Sequence, residues 1–174
     1  MARIVGYIAA SLDGFIADEN EGLDWLFKAE TNLGEHHYDV FIKTIRTIVM
    51  GRATYDWLVR SGMDWAYGAQ RVFVVTSRPI DNPLGPLATR GDIDALIAEL
   101  RALDDGDVWM LGGGKLQMAF IERGALDEIE VYVTSALVGG GYPLFPPTGH
   151  KQTLTLLSAK ALGKGMARLH YSFD

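Results

Sequence analysis

Apolar runs that end on short polar turns, with helices between them, constrain this chain most. TIVM at 47–50 is followed by Gly51-Arg52-Ala53-Thr54 and then by helical spacing with Tyr55, Leu58 and Val59. RVFVVT at 71–76 is closed by Ser77-Arg78-Pro79. The run at 108–111 enters three consecutive glycines, Gly112, Gly113 and Gly114, and a helix is expected at once, over about 115–123. Strands alternating with helices require crossovers, and crossovers make a mainly parallel sheet with helices on both faces. The class is α/β.

The remaining elements fit that frame. Residues 4–10 read as a buried first strand, ended by SLDG at 11–14. Residues 15–33 lack a sustained period and read as a long loop, too apolar for disorder. Tyr38, Phe41, Ile42 and Ile45 predict a helix over 34–46. A short strand is expected near 87–89. Asp92 reads as the N-cap of a helix over 93–103. A strand is expected over 129–137 and a Gly/Pro-dense loop over 138–149. An antiparallel pair, 153–162 and 166–173, is turned near Gly163-Lys164-Gly165.

Composition narrows the function. The 174 residues fit one domain, with 48 % hydrophobic and 22 % charged residues. A net charge of −6 without any basic run argues against nucleic acid or a membrane as partner. The apolar N-terminal run is too short to span a bilayer, so a cytoplasmic protein is expected. With no cysteine, thiol nucleophiles and cysteine-ligated metals are excluded. His36 and His37 are adjacent and diverge on a helix, His150 and His170 are isolated, and no metal site is expected. Ser11 and Ser77 lack a GxSxG context.

Ligands of such sheets bind beyond the C-terminal strand ends. A helix N-terminus preceded by glycines attracts anions, because its free N–H groups can be approached closely. Gly112, Gly113 and Gly114 supply that backbone, and Lys115 adds a charge. The P-loop pattern fails because Leu116 follows Lys115, and the third Rossmann glycine is replaced by Gln117. Arg52 and Arg78 would share the rim with Lys115, enough cations for several phosphates.

VMGRATYDWL, VVTSRP and LGGGKLQMAF, in that order and spacing, resemble the dihydrofolate reductase fold. SLDGFIA at 11–17 and GGGYPLFP at 139–146 are similar to one branch of it, the reductase domain of the riboflavin-pathway deaminase-reductase, the RibD C-terminal-like family. The resemblance covers the whole chain. It implies a single dihydrofolate reductase-like domain over 1–174, three-layered α/β/α, with a mainly parallel sheet and a C-terminal antiparallel hairpin. It implies NADPH, hydride transfer to a small nitrogen heterocycle of aminopyrimidine or pterin type, and a homodimer. A true dihydrofolate reductase and a non-catalytic NADPH-binding sensor or scaffold are the alternatives.

By the same resemblance, Ala10 lies near the nicotinamide carboxamide and Ile16 flanks the ring. Gly51, Arg52 and Thr54 meet the cofactor phosphates. Thr76 belongs to the turn whose Ser77 and Arg78 meet the adenosine 2′-phosphate. Gly113, Gly114, Lys115 and Leu116 hold the pyrophosphate, in agreement with the reading of the glycines themselves. Trp25 and Thr134 belong to the substrate side. The acidic partner of the substrate is Glu35 when counted back from Gly51 or Glu30 when counted forward from Trp25, with Asp39, one turn after Glu35, a third candidate. No cations suited to a phosphoribosyl group stand out beyond those assigned to the cofactor, and no deaminase segment is expected.

Overall fold

The apolar runs become strands. The computed structural model describes residues 1–174 and contains β1 (Ile4–Ser11), β2 (Phe15–Ala17), β3 (Ile45–Gly51), β4 (Arg71–Val75), β5 (Ala88–Arg90), β6 (Asp107–Gly112), β7 (Glu128–Thr134), β8 (Tyr142–Pro143), β9 (Thr155–Ala161) and β10 (Met166–Ser172). The helices are α1 (Asp24–Phe27), α2 (Tyr38–Phe41), α3 (Arg52–Ser61), α4 (Ile93–Arg101) and α5 (Gly114–Ile121). One eight-stranded sheet has the order β5-β4-β3-β6-β1-β7-β10-β9, and β2 pairs with β8 in a separate ribbon. Within the large sheet every pairing is parallel except those of β10 with β7 and β9. The architecture is the expected three-layer α/β/α arrangement with its terminal hairpin.

Side-chain alternation along the strands builds two cores. Ile4, Val49, Phe73, Val108 and Met110 face α4 and α5, meeting Leu96, Leu100, Phe120 and Ile121. Their neighbours Val5, Ile48, Met50, Val72, Val74 and Trp109 face the other way, against Tyr55 of α3 and the half-buried Tyr38, Phe41 and Ile42. Burial on both faces explains why these strands read as continuous apolar runs rather than alternating ones. The main core includes ten side chains or more of the size whose burial is worth roughly 1.5–3 kcal/mol each.

Three expectations are corrected. The single helix over 34–46 is replaced by a 3-10 turn at Gly34–His36, the short α2, and a second 3-10 turn at Ile42–Thr44. Gly34 has a positive φ of 49°, and His37 is extended, accepting the Asp39 N–H to cap α2. The apolar spacing there reports one buried face, not one continuous helix. The loop over 15–33 contains β2 and α1. Strand β7 ends at Thr134, not at 137, because the Ser135 N–H turns to the Gly165 carbonyl and the Leu12 N–H to that of Ala136.

Candidate functional site

The C-terminal ends of the parallel strands bring Ser11, Gly51, Val75, Arg90, Gly112 and Thr134 to one rim. At its centre two strands separate. β1 pairs with β7 as far as Ser11, but with β6 only over Ile4–Gly6. Beyond that point the Trp109 indole N–H donates to the Tyr7 carbonyl at 3.2 Å. The end of β1, with Ala10 buried at 1 % exposure, therefore borders a fork in the sheet. Such a fork is where an open α/β sheet binds its ligand.

On the β6 side of the fork, α3 and α5 start within the same small region. A Cβ on Gly51 would lie 3.8 Å from the Gly112 carbonyl oxygen and 3.9 Å from the Gly113 nitrogen and Leu116 Cβ. One on Gly113 would lie 3.6 Å from the Thr54 hydroxyl oxygen. Gly51, Thr54, Gly112, Gly113 and Leu116 are thus brought together as expected, and Lys115 is exposed beside them. The Gly112–Gly113 peptide is cis, and Gly112 has φ 123°, a backbone that favours glycine.

The helix caps differ in a telling way. Asp92 caps α4 by accepting the Ala95 N–H at 3.0 Å. The N-caps of α3 and α5 are Gly51 and Gly113, and neither helix has a side-chain cap. Two uncapped N-termini, less than a side chain apart, leave their first-turn donors available to an anion and add the positive ends of two helix dipoles.

The β4 turn lies next to them. The Thr76 hydroxyl accepts the Arg78 N–H at 3.1 Å. Arg52 donates to Asp56 at 2.8 Å and to the carbonyls of Arg78 and Pro79 at 3.4 and 3.2 Å. Thr76 and Arg52 therefore shape the turn, while Ser77 and the Arg78 side chain remain exposed and no ion pair engages Arg78. Arg90, which sequence reading did not single out, ends β5 above Phe73, its guanidinium carbon 4.7 Å from the ring and paired with Glu99.

On the β7 side a cleft of about 320 Å³ is lined by Trp25, Glu30, Thr134, Ser135, Lys28 and Lys164 among others. Thr134 is buried and its hydroxyl lies 3.4 Å from the Ala10 carbonyl oxygen, so the cleft abuts the fork. Trp25 is held by its indole N–H on the Gly22 carbonyl at 3.2 Å. Ile16 sits in β2 and packs on the main core. The three acids separate here. Glu35 is 74 % exposed, paired with Lys160 at 3.2 Å, and Asp39 is 77 % exposed beside His37. Neither lines the cleft; Glu30 does. Of the three acids only Glu30, itself exposed, stands at the cleft beside Thr134, and Glu35 and Asp39 stand away from it. The cause is the broken 34–46 helix, which carries both side chains out into solvent.

Asp13 ties the rim together. Its carboxylate accepts the Ser11 hydroxyl at 2.6 Å and the N–H groups of Val138 and Gly139 at 3.0 and 2.8 Å. Those bonds, led by that of Ser11, lower its pKa from 3.8 to about 2. A pKa depressed in the folded state stabilises the fold above 3.8, and that contribution is lost as pH falls toward 2. Asp13→Asn is expected to lower the melting temperature at neutral pH, and the gap from the native chain should close as pH falls through that window. Melting followed by circular dichroism across pH checks it; a gap that stays constant to the acid end contradicts the role.

Below the rim, outside the cleft, Glu130 is bonded by Arg168 at 2.7 Å and by the Tyr132 hydroxyl at 2.6 Å. Burial by itself would raise the Glu130 pKa, but these bonds outweigh it and hold the carboxyl below its ordinary value. Sequence reading missed this network, whose members are scattered along β7 and β10. It is a structural brace for the strands that carry Thr134.

Known proteins share this fold. The RibD C-terminal domain profile matches residues 3–168. YwjB, an uncharacterized protein of Bacillus subtilis (strain 168), is 32 % identical over 171 residues, spanning 97 % of each chain. A crystal structure from Shewanella sp. PV-4, assigned provisionally to riboflavin biosynthesis, superposes with a TM-score of 0.86 at 27 % identity, over 100 % of this chain and 99 % of that one. Dihydrofolate reductase from Enterococcus faecalis, solved with NADP(H), superposes at a TM-score of 0.63 and 17 % identity, over 99 % of this chain and 96 % of that one. The last is a likeness of fold.

Proposed function

The chain belongs to the RibD C-terminal domain family, and from that premise we propose that it is an NADPH-dependent reductase of a small nitrogen heterocycle. The observation that carries the reading is the pair of uncapped helix N-termini, α3 and α5, which open on glycine at the ends of neighbouring parallel strands. Gly51, Thr54, Gly113, Gly114, Lys115 and Leu116 would hold the pyrophosphate there. Ser77 and Arg78 would take the adenosine 2′-phosphate, since both side chains are exposed at the end of β4. The bare backbone of Gly51, Gly112 and Gly113 lies together there, with a Cβ on Gly51 3.8 Å from the Gly112 carbonyl oxygen, and such backbone would let a phosphate approach both helix N-termini. The Enterococcus relative of the same fold carries NADP(H), which supports the same choice.

When bound, the nicotinamide supplies the hydride. The chain supplies placement. The end of β1 at Ala10 borders the fork where the ring would enter, and Thr134, against the Ala10 carbonyl, starts the substrate cleft. Trp25 offers an aromatic face to a planar heterocycle. Reduction of C=N or C=O needs a proton on the neighbouring atom, and Glu30 is the acid that lines this cleft. Glu30, exposed at this cleft, would face the ring N–H groups and the water that delivers the proton. An aminopyrimidine of the kind reduced in riboflavin biosynthesis, 5-amino-6-(5-phosphoribosylamino)uracil, is the first substrate to try, with dihydrofolate beside it.

The test is cofactor oxidation followed at the nicotinamide absorbance with both substrates. Native protein should oxidise NADPH in preference to NADH. Arg78→Ala should raise KM for NADPH by about tenfold or more, the loss of one charge-assisted contact of roughly 1.5–3 kcal/mol, and leave KM for NADH unchanged. Equal use of both nucleotides by native protein and variant would contradict the assignment of Arg78. Tight NADPH binding without oxidation in the presence of any substrate tried would favour a sensor over an enzyme.

A further inference from the structure

Gln117 is a polar side chain on a helix whose other large buried residues, Leu116, Met118, Phe120 and Ile121, are all apolar. It is 1 % exposed and stands one turn past the Gly113 cap of α5. Its Nε2 donates to the Leu144 carbonyl at 3.2 Å, while its Oε1 is buried and meets no donor. Turning the amide over would not relieve that, because the Leu144 oxygen can only accept. An unpaired buried carbonyl costs stability, so packing alone favours an apolar side chain here. The use of the amide lies in its other half, the bond to Leu144. We infer that Gln117 is a positioning residue, which ties the segment over 138–146 to the start of α5 and so sets the β2–β8 ribbon in register with the glycine-opened cradle. The inference rests on the reductase reading and adds a link between the two ends of its cofactor site.

Residues 138–146 form a strap along the rim. At its start the Asp13 carboxylate accepts the Val138 and Gly139 N–H groups. In its middle β8 pairs with β2, Pro143 opposite Phe15 and Tyr142 opposite Ala17. Just beyond, the Leu144 N–H donates to the Gly14 carbonyl at 2.9 Å. All of these attachments run to the chain that leaves β1, residues 13–17. Toward α5 the strap has packing at Gly114, which leaves no room for a Cβ, and one side-chain hydrogen bond, that of Gln117.

The tie therefore joins two parts of the proposed cofactor site. Ile16, between the paired residues of β2, would flank the nicotinamide, and Gly113 to Leu116 would hold the pyrophosphate. The connection runs from Gln117 to Leu144, across β8 to β2, and so to Ile16. Without the Gln117 bond the strap keeps its attachments to residues 13–17 and is free to shift away from α5. The cradle itself is untouched, so the phosphates still bind. The wall against the ring moves instead, and hydride transfer is sensitive to small misplacements of the reacting groups. Loss of the bond is thus felt in turnover rather than in nucleotide affinity.

Gln117→Met keeps the length of the side chain and removes both polar atoms; Gln117→Leu is a second apolar variant that should repeat its behaviour. Amide hydrogen exchange is measured first, on nucleotide-free protein. The Leu144 N–H should exchange about tenfold faster in the variants. The Leu96 and Leu100 N–H groups of α4 should be unchanged, and the melting temperature should stay within about 4 °C of native. Kinetics follow, with NADPH and whichever of the two substrates the native chain reduces. There kcat should fall about tenfold or more, with KM for NADPH within about twofold of native. Unchanged exchange at Leu144 overturns the tie, and Gln117 then only fills space. Faster exchange at Leu144 and α4 together, with a large fall in melting temperature, overturns it as well, because the role is then one of general packing. Faster exchange at Leu144 with kcat unchanged overturns the placement of the ring. If the native chain oxidises no NADPH, the reductase reading falls, and exchange at Leu144 still decides the tie.

Discussion

Glu30→Gln is expected to lower kcat for NADPH oxidation by about 10²-fold or more, the usual worth of a positioned acid or base, with KM for NADPH unchanged. Glu35→Gln and Asp39→Asn should leave kcat close to native. The contrast follows from placement: all three carboxylates are exposed, but Glu30 lines the cleft that starts at Thr134, whereas Glu35 is bound to Lys160 and Asp39 stands beside His37, away from it. Glutamine keeps the size of the side chain and removes the charge, so the loop contacts at the Glu30 backbone, made by Gly165, survive. Steady-state kinetics on the three variants, with melting temperatures as a control for folding, reads the result. A large loss in Glu35→Gln with none in Glu30→Gln would move the acid back to the 34–46 segment.

The second large effect is expected at Gly114. A Cβ there would lie 2.5 Å from the Pro143 carbonyl oxygen, 2.9 Å from Pro146 Cδ and 3.0 Å from the Leu144 carbonyl oxygen. Backbone and a proline ring cannot swing aside as a flexible side chain can, so either α5 or the 143–146 segment must shift. Gly114→Ala should therefore destabilise the fold by roughly 1–3 kcal/mol, the ordinary cost of overpacking. It should also displace the α5 N-terminus and weaken NADPH by about tenfold or more. Gly68→Ala, where a Cβ meets nothing within 4 Å, is the matched control and should be within about 0.5 kcal/mol of native. Denaturant midpoints and cofactor titration on both variants test this. Equal stability of the two would mean that the 143–146 segment is not packed as described.

These two sites also show what could be read from residues alone. The glycine-opened rim was legible because its signals are local: each turn follows an apolar strand within a few residues, and the glycines at 112–114 sit between a strand and the helix they start. The family resemblance then named the partners of each turn. The acid that lines the cleft beside Thr134 was not legible. Glu35 and Asp39 lie where apolar spacing implied one helix, Glu30 in the loop before it, and the extended His37 breaks that helix. Lys28 and Lys164 carried no signal at all, because only the packing of the 163–165 turn on the Glu30 loop brings them to one cleft. The fork between β1 and β6 was likewise hidden: β1 reads as one unbroken apolar run, although its pairing with β6 stops at Gly6.

The proposed reductase depends on the glycine-opened N-termini of α3 and α5 forming a dinucleotide cradle. Isothermal titration of the native chain with NADPH, with NADH in parallel, tests it most directly. The account predicts saturable NADPH binding at one site per chain and weaker binding of NADH. Absence of heat and of competition with either nucleotide would contradict it, and Gly112, Gly113 and Gly114 would then serve only to pack α5 against its strand.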